Sequence, residues 1–247
     1  MLAIIGGSGL YSLGGDFEPK RQAPENTPFG NTSGDILLGA WQGTEIAFLA
    51  RHGPNHRIPP HRINYRANLW ALHRQGVRQI IAVNAVGGIT PEMSPQTLVL
   101  PDQIIDYSHG REHSFFDGTD DEVRHIDFSW PYSAELRGLL LETAIQLGQP
   151  LAAAATYACT NGPRLETAAE IARLRRDGCD IVGMTGMPEA GLARELDIGY
   201  ACLALVVNWA AGIEDRPIGM DEIRQSLEQG MAQIESLLMA ASGSMAR

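Results

Sequence analysis

Residues 181–210 read IVGMTGMPEAGLARELDIGYACLALVVNWA, a polar turn, a helix start and a buried strand end within one short stretch. Ile181-Val182 is the end of an apolar strand. Gly183-Met184-Thr185-Gly186 is a turn whose two glycines let backbone approach something small. Pro188 falls where the first turn of a helix tolerates proline, and Glu189 follows it. A hydroxyl beside free backbone N–H groups at a helix start suits an anion such as phosphate. Residues 198–207 form a nearly unbroken apolar run, as a strand covered on both faces requires, and it ends in Asn208-Trp209. Open α/β sheets place their ligand groups at the carboxyl ends of central strands, and the Asn208 amide stands at such an end.

Working outward, the same pattern recurs. Residues 2–5 are a buried strand running into Gly6-Gly7-Ser8-Gly9, whose N–H groups and Ser8 hydroxyl can cradle an anion. A dinucleotide fingerprint is not met there: from Gly7 the spacing of glycines fails at Ser12. After a polar, glycine-rich loop at residues 24–35, two strands at 36–38 and 45–50 deliver Arg51-His52-Gly53-Pro54-Asn55-His56-Arg57, a dense cationic cluster in an acidic chain. Arg51 offers a planar fork suited to two phosphate oxygens, and His52 a ring donor; the bland alternative is a surface turn of solvated charges. Residues 63–73 have helical spacing, with Tyr65, Leu69 and Leu72 on one face. Residues 79–83 are another strand, read as ending in a loop, Asn84-Ala85-Val86-Gly87-Gly88. These strand-end loops and Thr185 are expected to converge at one edge of a parallel-rich sheet.

Short extended segments follow at 97–100 and 103–106, then a long polar connection at 107–127, a helix at 135–147 and a strand at 151–160. Thr167-x-x-Glu170 is a capping box, so a helix begins at Thr167 with Glu166 just before it. Glu166 either favours the positive helix end or faces the same pocket as Asn208. A last helix spans 220–238, followed by a frayed tail at 241–247.

A chain of 247 residues, 44% hydrophobic, buries a full core as a single α/β domain, a three-layer sandwich around a mixed, largely parallel sheet. The net charge of -10 and the lack of a basic run argue against nucleic acid or an anionic membrane as partner. Cys159, Cys179 and Cys202 lack the spacing of a disulfide scaffold or a zinc site and read as buried small residues in a reducing cytoplasm. Residues 2–5 open the sequence without a basic region or a cleavable apolar segment, so no targeting is expected, and His109, His113 and His125 lack a metal-binding spacing.

Nine stretches in order resemble the trimeric purine nucleoside phosphorylase and methylthioadenosine phosphorylase family: GGSGLY, TPFG, RHG, INYRAN, NAVGG, SFFDG, GPRLET, VGMTGMPEA and the strand ending at Asn208. The resemblance implies cleavage of a purine nucleoside by inorganic phosphate, a co-substrate, with no metal or organic cofactor. It implies a phosphate site of Ser8, Arg51, His52, Asn84, Ala85 and Thr185. Met184 is similar to the family residue under the ribose, and His125 to one that reaches a neighbouring subunit's site in a homotrimer. Leu165, Glu166, Asn208 and Ala210 would face the base, with Arg51, His52 and Asn208 the groups nearest the chemistry. A 6-oxopurine presents N1–H as donor and O6 as acceptor, which a Glu166 carboxylate and an Asn208 amide match. Adenine-cleaving relatives carry aspartates where Asn208 and Ala210 stand and a small hydroxyl residue where Glu166 stands. At the sugar end, Met220 and Ile223 replace a histidine that binds the 5′-hydroxyl and suit a methylthio group. Together these departures imply 5′-methylthioinosine as substrate, against methylthioadenosine, inosine or guanosine, or a noncatalytic purine-binding role.

Overall fold

The computed structural model describes residues 1–22, 26–118 and 123–245. Its strands are Leu2–Gly6 (β1), Glu18–Gln22 (β2), Ile36–Trp41 (β3), Thr44–Ala50 (β4), Gln79–Gly88 (β5), Leu98–Val99 (β6), Gln103–Asp106 (β7), Thr156–Cys159 (β8), Ile181–Gly183 (β9) and Gly199–Trp209 (β10). Its α-helices are Tyr65–Arg74 (α1), Ala134–Leu147 (α2), Ala168–Arg176 (α3), Gly186–Glu195 (α4) and Met220–Met245 (α5).

The strands form one mixed sheet in the order β2-β3-β4-β1-β5-β9-β8-β7, with β10 and then β6 joined on through β5. β4, β1, β5 and β10 are mutually parallel where they pair, so their carboxyl ends share one edge. The side-chain alternation of these strands separates two apolar faces. Ala3, Ile5, Ala82 and Cys202 pack with Tyr65, Leu69 and Leu72 of α1 and Ala190 and Leu192 of α4. Ile4, Ile81, Leu203 and Leu205 point the other way, against Leu136 and Leu140 of α2 and Ile234 and Leu237 of α5. Each of these fully buried aliphatic side chains contributes about 1.5–3 kcal/mol from removal from water. A third apolar cluster seats Ile171 and Leu174 of α3 on Ala158 and Val182. The chain is thus an α/β layered fold, as its sequence pattern implies. Gly230 shows how close the layers come: a Cβ there would lie 2.3 Å from Leu205 Cδ2, so α5 carries a glycine in its interior despite its poor helix propensity.

Several boundaries differ from the sequence reading. Asn84-Ala85-Val86-Gly87-Gly88 is not a loop but the second half of β5, paired with β10 on one side and, at Gly87 and Gly88, antiparallel with β9 on the other. The strand read at 151–160 is confined to Thr156–Cys159, preceded by a single bridge between Val99 and Ala152. The helix read at 220–238 continues to Met245, with Ala241 and Ser242 buried, in place of most of the frayed tail. The capping box is present: Thr167 Oγ1 accepts from Glu170 N at 3.1 Å and Glu170 Oε2 from Thr167 N at 2.7 Å. The start of the loop read at 24–35, part of the connection at 107–127 and the last two residues of the tail lie outside the described residues.

Candidate active site

The shared carboxyl edge of β1, β4, β5 and β10 opens into a cavity of about 790 Å³. Ser8, Arg51, His52, Ala85, Met184, Thr185, Leu165, Glu166, Asn208, Ala210, Met220 and Ile223 all line it. The topology explains the convergence: parallel strands end at one edge, and β9 brings Met184 and Thr185 back across the end of β5.

Two expected residues are not on the wall. Asn84 is 2% exposed and touches Thr185 Oγ1 at 2.7 Å, so it acts on the cavity only through that hydroxyl. It sits within β5, paired with Ala204 of β10, rather than in a loop. His125 is exposed and does not line its own chain's cavity.

Arg51 does not present a free fork. Its Nε and Nη2 donate to Glu189 Oε2 and Oε1 at 2.7 and 2.8 Å, and Nη1 donates to Val83 O at 2.9 Å. Three of the five N–H bonds of the guanidinium are thereby occupied, leaving two for an anion. Both side chains of this ion pair are fully buried. Burial alone would pull the Arg51 pKa down, and the charge and hydrogen bonds of Glu189 override it, raising the pKa above its ordinary value. Tyr200 adds a third donor to Glu189, its hydroxyl 2.8 Å from Oε1. The glycine turn after β1 leaves room for this arrangement, since a Cβ on Gly7 would stand 2.4 Å from Val83 O and 3.0 Å from Arg51 Nη1.

His52 likewise departs from the expected ring donor. Its Nδ1 lies 2.8 Å from Ile58 O, and because a carbonyl only accepts, Nδ1 carries the hydrogen. Burial, with the Arg51 charge beside it, pushes its pKa down to about 4, so the ring is neutral at pH 7 and Nε2 is an acceptor. Such an acceptor meets a hydroxyl or a protonated phosphate oxygen. The His52 ring stacks on His56 at 4.2 Å, and His56 Nδ1 meets the Tyr11 hydroxyl at 3.2 Å.

On the base side, Glu166 Oε1 accepts from Thr160 Oγ1 at 2.6 Å. Asn208 Nδ2 donates to Trp209 O at 2.7 Å, which leaves its second N–H and its carbonyl oxygen for a ligand. Asn208 follows a register shift in the pairing of β10 with β5, between Val206 and Asn208. A bulge of this kind re-aims the side chains beyond it, and here Val207 and Asn208 both face the cavity. At the sugar end, Ile218 and Leu227 join Met220 and Ile223 as apolar lining.

Sequence reasoning missed Tyr11, His56, Ile218, Leu227 and Arg224 as lining residues, and Glu189 as the partner of Arg51. Leu227 had a visible signal, one helical turn beyond Ile223 on the same face. Among the described residues no group of acidic, histidine or cysteine side chains is arranged to hold a metal ion, and no helix is long and apolar enough to cross a membrane.

Comparison with known proteins matches the chain to one family. The Phosphorylase superfamily profile covers residues 1–242. The chain is 55% identical over 236 residues to a probable S-methyl-5′-thioinosine phosphorylase of Pseudomonas syringae pv. tomato, spanning 96% of each sequence. It is 46% identical over 245 residues to a 6-oxopurine nucleoside phosphorylase of Pyrococcus furiosus, spanning 97% of this chain and 91% of the other. A crystal structure of a methylthioadenosine phosphorylase from an antarctic soil metagenomic library superposes with a TM-score of 0.89 at 37% identity, over 99% of this chain and 86% of that one. With a fold, a cavity and a sequence match that run through nearly its whole length, the chain belongs to the Phosphorylase superfamily.

Proposed function

We propose that the protein cleaves S-methyl-5′-thioinosine with inorganic phosphate, giving hypoxanthine and 5-methylthioribose 1-phosphate. The observation that carries this reading is that Glu166 and Asn208 share one cavity with the apolar group Ile218, Met220, Ile223 and Leu227. An acceptor and an amide suit the N1–H and O6 of a 6-oxopurine, and the apolar group suits a methylthio substituent. The names of the Pseudomonas and Pyrococcus relatives point to the same base class.

Departure of the base leaves positive charge on the sugar and negative charge on the purine. Phosphate held near Arg51, Ser8 and the backbone around Ala85 stabilises the first as it attacks the anomeric carbon, and an Asn208 hydrogen bond to the base stabilises the second. The glycosidic C–N electron pair leaves with the purine, which takes up a proton. Phosphate is the nucleophile, so the reaction needs no metal, organic cofactor or protein nucleophile. The reading includes a homotrimer whose His125 reaches a neighbouring site, and a cytoplasmic location suited to the free cysteines.

The test is phosphorolysis of 5′-methylthioinosine, 5′-methylthioadenosine and inosine side by side, with and without phosphate, read as kcat/KM. Methylthioinosine is expected to lead, with turnover dependent on phosphate. Preference for methylthioadenosine overturns the reading of the base site, and preference for inosine overturns that of the sugar site. Tight binding of nucleosides without turnover would make the protein a purine-binding protein.

A further inference from the structure

We infer that Thr160, which does not itself line the cavity, is a positioning residue that sets the base specificity by fixing Glu166 as a hydrogen-bond acceptor; the inference rests on the base reading proposed above. Thr160 lies just beyond the end of β8, and its own backbone is anchored. Its N–H donates to Gly183 O at 2.8 Å, and Arg111 Nη2 donates to the carbonyls of Thr160 and Asn161 at 3.3 and 2.9 Å. Arg111 Nε also donates to Asn161 Oδ1 at 3.3 Å, and its Nη1 donates to Met187 O. The threonine is therefore held from two sides, by the Gly183 carbonyl and by Arg111.

The Thr160 hydroxyl has one hydrogen and two acceptors within reach, Glu166 Oε1 at 2.6 Å and Gly183 O at 3.4 Å. The shorter contact, to a carboxylate, takes the hydrogen. Oε1 is thus engaged, which holds the carboxylate in place, and its remaining lone pairs are left for the ligand. A 6-oxopurine N1–H finds the acceptor it needs there. An adenine N1 is itself an acceptor and would meet a second acceptor in the carboxylate that Thr160 holds there. By fixing where that acceptor stands, Thr160 supports the oxopurine over the aminopurine.

The experiment compares wild type, Thr160→Val, Thr160→Ser and Glu166→Gln, and the double variant carrying Thr160→Val with Glu166→Gln. Each is assayed with methylthioinosine and methylthioadenosine and for its phosphate KM. Thr160→Val keeps the shape and removes the donor, and is expected to lower the methylthioinosine-to-methylthioadenosine ratio of kcat/KM by about tenfold or more, with the phosphate KM unchanged. Thr160→Ser should restore the ratio. In the Glu166→Gln background Thr160→Val should have no further effect on it, because the two residues act as one unit. A wild type that prefers methylthioinosine and a Thr160→Val variant with the same ratio overturns this inference and leaves the base reading standing. A wild type that prefers methylthioadenosine overturns both. A general loss that raises the phosphate KM as much as it lowers nucleoside turnover, and that Ser does not repair, assigns Thr160 to structure alone.

Discussion

Arg51 reaches the cavity with Nε and Nη2 already donated to Glu189, and Glu189 in turn takes a third hydrogen bond from Tyr200. The pair carries no net charge, so what it offers phosphate is two oriented N–H bonds rather than a free cation. That orientation depends on Glu189. Removing one partner of a buried ion pair leaves the other charge without compensation, at about 3–5 kcal/mol. Glu189→Gln is expected to lower the unfolding free energy by about 3 kcal/mol in denaturant titration and to raise the phosphate KM more than the nucleoside KM. Tyr200→Phe removes one donor but keeps the charges paired, and is expected to lose about 1 kcal/mol. A Glu189→Gln protein as stable as wild type would show that the pair contributes nothing net. None of this network could be read from the chain: Arg51 and Glu189 are 138 residues apart, and Glu189 after Pro188 looks like any acidic residue in a first helical turn.

At the scale of elements, the helix that follows Glu166 is set by a local rule. Thr167 and Glu170 satisfy each other's backbone N–H groups, and Arg164 clamps Glu170 with two contacts of 2.8 and 2.7 Å. Thr167→Ala is expected to lower stability by about 1 kcal/mol. Because the cap adjoins Glu166, the same change should raise the methylthioinosine KM while the phosphate KM stays constant; an unchanged nucleoside KM would show that the helix start does not hold the base site. This element was legible because its signal lies within four residues. So were the apolar strands β1, β4 and β10, whose runs need no partner to be recognised. The end of β5 was not, since Asn84, Gly87 and Gly88 have the composition of a loop and become strand only through β10 and β9, far along the chain. Gly88 is required there by close packing, as a Cβ would stand 1.8 Å from Met93 O. The site was legible as a set of strand ends, whereas the bulge that aims Asn208 and the tautomer that makes His52 an acceptor arise from long-range pairing and from the Ile58 carbonyl.

For the whole molecule, the position of His125 bears on whether one chain completes a site. His125 lies outside its own cavity, in a segment where Val123 is 73% and Trp130 70% exposed. Large apolar side chains left in water beside an unplaced histidine are what a subunit contact would cover. In a cyclic trimer each subunit gives the same patch to the next, so a chain lacking its own base contact can still supply His125 to a neighbour. This permits a complementation test with Asn208→Ala and His125→Ala, each expected to be strongly impaired as a homo-oligomer. Co-expressed in equal amounts, they are expected to form mixed trimers in which a His125→Ala chain, with Asn208 intact, would borrow His125 from an Asn208→Ala neighbour. With random assortment about one site in four is complete, so activity should recover to about a quarter of wild type. Mixing the separately purified proteins without dissociation should give no recovery. A protein that sediments as a monomer at full activity, or co-expressed variants no better than either alone, would confine the site to a single chain and remove His125 from it.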